Sequence, residues 1–163
     1  MPGTHFHPLH VSRVQPEGDD ALVLAFDVPS SLQKAFVFEP GRDLTLRHLY
    51  GRRSYSICAA AGEALRVGVR KAPGGAFSSW LHLHAQPGMV LDVMPPQGRF
   101  GAVLPRRPRH VLAVAGGSGI TPILFIVKTL LTSNSQARVT LLYGNRRAAT
   151  TMFKEELEDL KNR

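Results

Sequence analysis

Val111-Leu-Ala-Val-Ala115 runs directly into Gly116-Gly-Ser-Gly119-Ile-Thr-Pro122. Apolar residues without alternation are the pattern of a strand buried on both faces. Glycines let the backbone turn sharply and approach a ligand closely. Ile123, Ile126, Val127, Leu130 and Leu131 then fall on one face of a helix, with Pro122 in its first turn. A strand, a glycine turn and a helix in this order present free N–H groups to an anion such as pyrophosphate. The turn reads Gly-x-Gly-x-x-Pro at Gly117, Gly119 and Pro122. A purely structural strand-to-helix turn can look the same, and the flanking elements are what raise the signal.

Downstream, Val139-Thr-Leu-Leu-Tyr143 is a second apolar strand. Phe153, Leu157 and Leu160 mark a second helix, with Glu155, Glu156 and Glu158 between them. The order β-α-β-α opens a doubly wound parallel α/β sheet. Two strands and two helices are too few for such a sheet to cover itself. Residues 105–163 are therefore expected to be the N-terminal half of a truncated nucleotide-binding domain.

Upstream, Leu104-Pro-Arg-Arg-Pro-Arg-His110 is a stiff polar connector. Residues 1–104 before it are β-rich. Phe6–Val14 alternates loosely, and Ala21–Asp27, Leu44–Leu46, Ser54–Cys58, Leu65–Val69 and Met89–Met94 are short strands. Pro40-Gly41, Pro73-Gly74-Gly75 and Pro87-Gly88 punctuate them, and Ser78–His84 has room for one or two helical turns. Such spacing predicts an antiparallel Greek-key barrel or sandwich. The whole reads as a β-barrel followed by an α/β unit.

Composition bounds the function classes. The 163 residues are 44% hydrophobic and 20% charged, which is ordinary for a globular protein. One cysteine, Cys58, excludes an internal disulfide and suits a reducing compartment. No apolar run reaches the ~20 residues of a membrane helix. Ile120–Leu131 is broken by Thr121, Pro122, Lys128 and Thr129, and the N-terminus has no signal-peptide pattern. A cytoplasmic protein without membrane partners is expected. The net charge of +8 attracts polyanions, and Arg47–Arg53 and Arg106–Arg109 carry much of it. A solvated surface accounts for the first cluster equally well, and a linker is the favoured account of the second. A nucleic-acid-binding barrel is the rival reading, but aromatic content is only 7%.

Two more segments carry chemistry. In Arg53-Ser-Tyr-Ser-Ile-Cys58, alternation puts Arg53 and Tyr55 on one face and Ser54 and Ser56 on the other. An arginine forks onto phosphate, a tyrosine ring stacks on a flat ligand, and a serine hydroxyl serves a ring nitrogen. A half-exposed barrel strand has the same appearance. In Lys71-Ala-Pro-Gly-Gly-Ala-Phe-Ser-Ser-Trp80, two glycines open a helix with Ser78 near its start. That is either a phosphate cradle or a simple N-cap.

The order Arg53-x-Tyr-Ser56, Gly74-Gly-x-x-Ser78, Pro95-Pro-x-Gly-x-Phe100, Gly117-x-Gly-x-x-Pro122 and Tyr143-Gly-Asn-Arg146 resembles the ferredoxin–NADP reductase superfamily. The resemblance covers nearly the whole chain, and five ordered motifs are far more specific than any one. Within the superfamily, Phe6–Val14, Ser31–Phe36, Ser56–Cys58 and Pro95–Phe100 resemble the reductase components of phenylacetyl-CoA oxygenase (epoxidase) systems. Members of that group join an FAD barrel, a nicotinamide domain and a C-terminal [2Fe–2S] domain.

The resemblance implies a role for each motif. Arg53 would hold the FAD pyrophosphate, beside Ser54. Tyr55 would pack on the isoalloxazine or ribityl chain, and Ser56 would hydrogen-bond near the reactive N5; these two are the candidate catalytic residues. Val69, Arg70 and Lys71 would line the flavin with backbone. Gly74, Gly75, Ala76, Phe77 and Ser78 would cradle phosphates. Gly117, Ser118, Gly119 and Thr121 would form the NAD(P)H turn, and Arg146 would lie near the adenosine ribose. No metal site is expected in the chain itself. Hydride would pass from NAD(P)H to FAD, and electrons onward to an iron–sulfur domain or multicomponent oxygenase, with phenylacetate degradation as the setting.

The chain departs from the family pattern in places. The family's Pro-Gly-Gln-[His/Tyr] step is Pro40-Gly-Arg-Asp43 here, and the loop between Leu46 and Arg53 is short. The Cys-Gly-Pro segment and any Cys-x4-Cys-x2-Cys spacing are absent, so this stretch holds no [2Fe–2S] cluster. Weak flavin binding and poor turnover are expected of these residues alone. A flavin-free relic of the same fold is the second rival. Cys58 needs no catalytic role and reads as a small core residue.

Overall fold

The computed structural model describes residues 5–60, 62–100 and 110–161. Most of the expected connector, with the boundary at 104/105 and Arg106–Arg109, lies outside the described residues.

Residues up to 100 form strands β1 (His7–Glu17), β2 (Ala21–Asp27), β3 (Asp43–His48), β4 (Gly51–Ser56), β5 (Arg66–Arg70) and β6 (Val90–Val93), with helix α1 (Ala76–His84) between the last two. All six strands pair antiparallel in the order β4-β3-β6-β1-β2-β5. The alternating pattern bends this sheet around Leu9, Leu24, Leu44, Leu46, Val67, Leu91 and Val93. The bridge Ile57↔Val67 draws the two edge strands together, so the sheet is barrel-like without a continuous closing ladder. Helix α1 adds Phe77 and Leu81 to the same core. It starts at Ala76, two residues before the position expected from sequence.

The second unit contains β7 (His110–Gly116), α2 (Ile120–Ser133), β8 (Arg138–Gly144) and α3 (Lys154–Lys161). β7 and β8 pair in parallel from His110↔Arg138 to Gly116↔Gly144. This is the β-α-β-α order read from sequence. One expectation fails: β7 is not buried on both faces. Ala113 and Ala115 are buried, but Leu112 and Val114 are 64% and 66% exposed, and Leu142 of β8 is 56% exposed. The helices cover only one side of this two-stranded sheet.

The strand that is buried on both faces is β2. Leu22, Leu24 and Phe26 join the barrel core. Ala21 and Val23 point the other way and pack with Cys58, Ala115, Ile120, Leu124, Met152 and Phe153. Phe125 of α2 crosses into the barrel core, with its ring edge-on to Phe38 at 5.4 Å. The two units therefore share hydrophobic surface instead of touching through a polar seam.

Charge locks the same interface. Arg66 of β5 makes a forked pair with Glu156 of α3, both bonds 2.7 Å. Lys128 of α2 reaches Glu156 at 3.1 Å and also binds Glu63. Phe153 is the one non-glycine residue with positive φ among those described, at 59°. Its backbone N–H donates to the Glu17 carboxylate at 2.6 Å, and its ring is buried. Helix α3 accordingly begins at Lys154, and Phe153 serves as an anchor ahead of it.

Candidate functional site

β4 presents Arg53 and Tyr55 opposite Leu46 and Leu44, and Ser54 and Ser56 opposite Thr45 and Asp43. The alternation expected from sequence is therefore the one observed. The Tyr55 ring is half-buried and lies 6.4 Å from Phe77 of α1, nearly parallel at 27°. Burial pushes its phenol up, against the lowering influence of Arg53. Among the described residues, the exposed Arg53 donates only to the carbonyl of Arg52. Ser54 Oγ shares a 2.8 Å hydrogen bond with Thr45 Oγ1. Asp43, at the departure from the family step, is held through its backbone by Gln97. Burial raises its carboxyl pKa, with Ser54 and Arg42 opposing.

The Gly74–Ser78 segment is a preformed loop. Gly74 sits at φ +69°, with nothing within 4 Å of the position a Cβ would take. Ser78 is buried and is not the N-cap. That place belongs to Gly75, which makes no side-chain cap. Ser78 Oγ accepts from the Ala72 N–H at 3.0 Å and faces the Gly75 carbonyl at 3.3 Å. The serine thus staples the loop that precedes the helix. Phe77 is in the core, while Ala76 and Gly74 face solvent.

β5 joins this region to the glycine turn. Val69 is fully buried, which leaves its backbone as the contact surface. A Cβ on Gly68 would lie 2.6 Å from Thr121 Cγ2, 3.0 Å from Met152 Cε and 3.3 Å from the Phe153 ring, so any side chain here would push against the seated turn. Thr121 is buried and donates to the Ser118 carbonyl at 2.9 Å. Gly117 adopts φ +51°, with an Arg70 guanidinium nitrogen 2.7 Å from where its Cβ would stand. Arg70 Nε pairs with Asp20 at 3.2 Å, off the line of a hydrogen bond, and its Nη2 donates to the Thr150 carbonyl. Tyr143 donates to the Gly117 carbonyl at 3.1 Å and accepts from the Met152 N–H at 3.2 Å.

Above this junction lies a cleft of about 700 Å³. Lys71 and Arg70 line it from the barrel side, Gly117 and Ser118 from the turn, and Arg146 and Arg147 from the end of β8. A left-handed glycine and four cations, one of them paired with the Asp20 carboxylate that also lines the cleft, favour a polyanion there. Gly117, Ser118, Arg70, Lys71 and Arg146 are gathered at this cleft. Arg53–Ser56 lie on the barrel edge beside α1, and Thr121 sits beneath the turn.

Sequence reading missed Gly68, Tyr143 and Thr150 as positioning residues. Gly68 stands inside a Val-Gly-Val strand, where an isolated glycine signals close backbone approach. Nothing local marks Thr150, whose carbonyl meets an arginine 80 residues away.

The fold and its cleft define the class, a ferredoxin–NADP-reductase-like FAD/NAD-binding fold. Residues 113–163 match the family model described as oxidoreductase NAD-binding domain. The chain is 43% identical to one subunit of the 1,2-phenylacetyl-CoA epoxidase of Escherichia coli K12, over 98% of this chain and 47% of that protein. It is 36% identical to the ferredoxin reductase component of 3-ketosteroid-9-alpha-monooxygenase from Mycobacterium tuberculosis, over 97% of this chain and 47% of that one. Phthalate dioxygenase reductase, a modular structure for electron transfer from pyridine nucleotides to [2Fe–2S], superposes with a TM-score of 0.77 at 26% identity, covering 93% of this chain and 47% of its own. The chain spans about half the length of the curated relatives it matches. Its resemblance to the ferredoxin–NADP reductase superfamily, and within it to the phenylacetyl-CoA epoxidase reductase component, thus rests on residues and fold together.

Proposed function

We propose that this chain is the flavin- and nucleotide-binding part of a reductase that carries electrons from NADH or NADPH, through FAD, to an iron–sulfur or oxygenase partner. By its similarity to the epoxidase protein, the partner system is one that oxidises phenylacetyl-CoA. The supporting observation is the junction at β5. Gly68 receives Thr121, and Arg70 stands beside Gly117, so the barrel face and the nucleotide turn meet at one strand.

The residues suit an FAD group. Tyr55 offers a half-buried ring backed by Phe77, Arg53 has an exposed guanidinium with a single backbone partner among the described residues, and Gly74 and Ala76 are exposed at a helix start. When bound, FAD would supply two-electron acceptance and one-electron release, chemistry no side chain here provides. Arg53 would hold the pyrophosphate, Tyr55 would seat the ring system and Ser56 would donate a hydrogen bond to its edge. Gly117, Ser118, Gly119 and Thr121 would position the nucleotide, with Arg146 at its ribose end.

Reconstitution with FAD tests this reading. The purified chain should turn yellow, quench flavin fluorescence and bleach on anaerobic NADH or NADPH addition. Arg53→Ala should weaken FAD binding by about tenfold, as loss of a charge-assisted phosphate contact does. A colourless chain that takes up no flavin and retains oligonucleotide with steep salt dependence would sink the reading in favour of a basic nucleic-acid-binding barrel.

A further inference from the structure

Two adjacent backbone N–H groups ahead of α3 are caught by different units. The Met152 N–H donates to the Tyr143 hydroxyl of β8 at 3.2 Å, and the Phe153 N–H donates to the Glu17 carboxylate of β1 at 2.6 Å. The residues just before them are tied to the barrel as well. The Ala149 carbonyl accepts from the Asp19 N–H at 2.9 Å, and the Thr150 carbonyl accepts from Arg70. Thr150, Met152 and Phe153 are buried. This strap directly follows Arg146 and Arg147, which line the cleft.

Tyr143 carries the position of the strap to the glycine turn. Its hydroxyl donates to the Gly117 carbonyl at 3.1 Å. With the Met152 N–H on an oxygen lone pair, the phenol proton is left for Gly117. Burial raises the phenol above its ordinary value, against the Met152 N–H and Asn145, so the proton stays on at neutral pH. The Ile120 N–H reaches the same Gly117 carbonyl from within the turn. That carbonyl is thereby held on the side of Tyr143. The Gly117 C=O and the Ser118 N–H belong to one planar trans peptide and point in opposite directions. The Ser118 N–H is therefore turned away from Tyr143, and Ser118 lines the cleft. The same peptide turned over would set a carbonyl oxygen against a polyanion, with the wrong sign.

We propose that Tyr143 is the positioning residue of the nucleotide turn: its hydroxyl fixes the Gly117–Ser118 peptide so that the Ser118 N–H meets a phosphate of the nucleotide, and Glu17 of the barrel sets Tyr143 through the strap. The inference deepens the reductase reading and rests on it for the identity of the ligand. The Tyr143 ring packs on the apolar cluster between the units, a role phenylalanine would fill, so the hydroxyl is what the turn requires. The two links act in series. Once the hydroxyl is gone, loss of Glu17 adds nothing. Glu17→Gln keeps an acceptor for the Phe153 N–H and so keeps the link.

The test titrates NADH and NADPH, followed by their own fluorescence, and FAD, followed by quenching of its emission, into the full chain and its Tyr143→Phe, Glu17→Ala and Glu17→Gln variants. Tyr143→Phe should weaken the better-bound nucleotide about fivefold, as loss of one hydrogen bond does, and leave FAD affinity unchanged. Unchanged FAD affinity also certifies that the variant is folded. Glu17→Ala should act in the same direction alone and add nothing to Tyr143→Phe, while Glu17→Gln keeps the wild-type values. In the FAD-loaded chain, Tyr143→Phe should raise the nucleotide concentration for half-maximal bleaching and leave the limiting rate unchanged. Unchanged nucleotide affinity in Tyr143→Phe, equal weakening of FAD and nucleotide, or additive effects of the two substitutions would overturn the inference, and the reductase reading would stand if the wild-type chain takes up FAD and is bleached. The expected pattern in a chain that takes up no FAD would uphold the role of Tyr143 and overturn the flavin reading. A wild-type chain that binds neither nucleotide would overturn both.

Discussion

Two strands of this molecule carry unbroken apolar runs, Ala21–Phe26 in β2 and Val111–Ala115 in β7, and they meet different fates. β2 is buried throughout that run, with the barrel core on one face and α2, Met152 and Phe153 on the other. β7 is covered only on the side of Ala113 and Ala115, while Leu112 and Val114 face outward. A continuous apolar run reports that both faces suit burial. It does not report which neighbour covers each. In β2 the second cover is a helix about 100 residues further along the chain, a separation no local pattern encodes.

The comparison can be broken at its strongest point. Val23→Asp would place a carboxylate in the apolar cluster of Ala115, Ile120 and Leu124. It should cost about 4 kcal/mol or more, read as a shift of the denaturation midpoint. A cost near zero would mean that β2 is not the shared wall of the two units. Next in size is Gly68→Ala. The new methyl meets Thr121 Cγ2 and the Phe153 ring, so overpacking should cost about 1–3 kcal/mol. The same change should loosen nucleotide binding more than flavin binding, a contrast that separate titrations would reveal.

Acid titration sharpens the charged part of the interface. Burial works to raise the Glu156 and Glu63 carboxyls, but Arg66 and Lys128, joined at Glu63 by the Ala60 N–H, overcome it and hold both below the ordinary value of 4.5. Their contribution is complete above pH about 4.5 and is lost as pH falls through the lowered values. Glu17 has the opposite sign. Burial raises it despite the Phe153 N–H, so its ionised form costs stability that protonation restores. Glu156→Gln should cost about 1 kcal/mol at neutral pH, discounted because the pair is partly exposed, and should flatten the acid limb of the stability curve. An unchanged acid limb would show that these ion pairs do not hold the units together. The smallest effect belongs to β7. Val114→Asp should stay within about 0.5 kcal/mol in this chain, since the residue is already in water.

The order of elements was legible because period-two alternation, glycine turns and helical spacing are local properties. The β-α-β-α order, α2 and the alternation of Arg53 to Ser56 all came from such patterns. Burial on one face of β7 was not legible, because it depends on what packs against the strand. The left-handed Phe153 was also hidden. Its conformation follows from Glu17 and the pocket under Gly68, both distant in sequence. The stacking of His48 and Tyr50 on Trp80 requires a hairpin and a helix to meet, and 7% aromatic content gave no hint of clustering. Ser78 shows a subtler limit. Its position fitted a cap or a phosphate donor, yet its hydroxyl is spent on the loop itself.

Cys58 lies fully buried in the cluster that joins the two units, and its thiol is pushed up to about 12, mostly by burial. A thiol in that state is nearly silent toward alkylating reagents. The chain contains no other cysteine. Its rate of labelling therefore reports the openings, local or global, that expose the seam. Pulse alkylation followed by intact-mass measurement would give the free energy of the opening that exposes Cys58, and a value below that of global unfolding would assign it to the seam. If FAD spans the barrel edge and the glycine turn, saturating FAD should slow the labelling, turning a residue with no part in the chemistry into a gauge of how firmly the two units close.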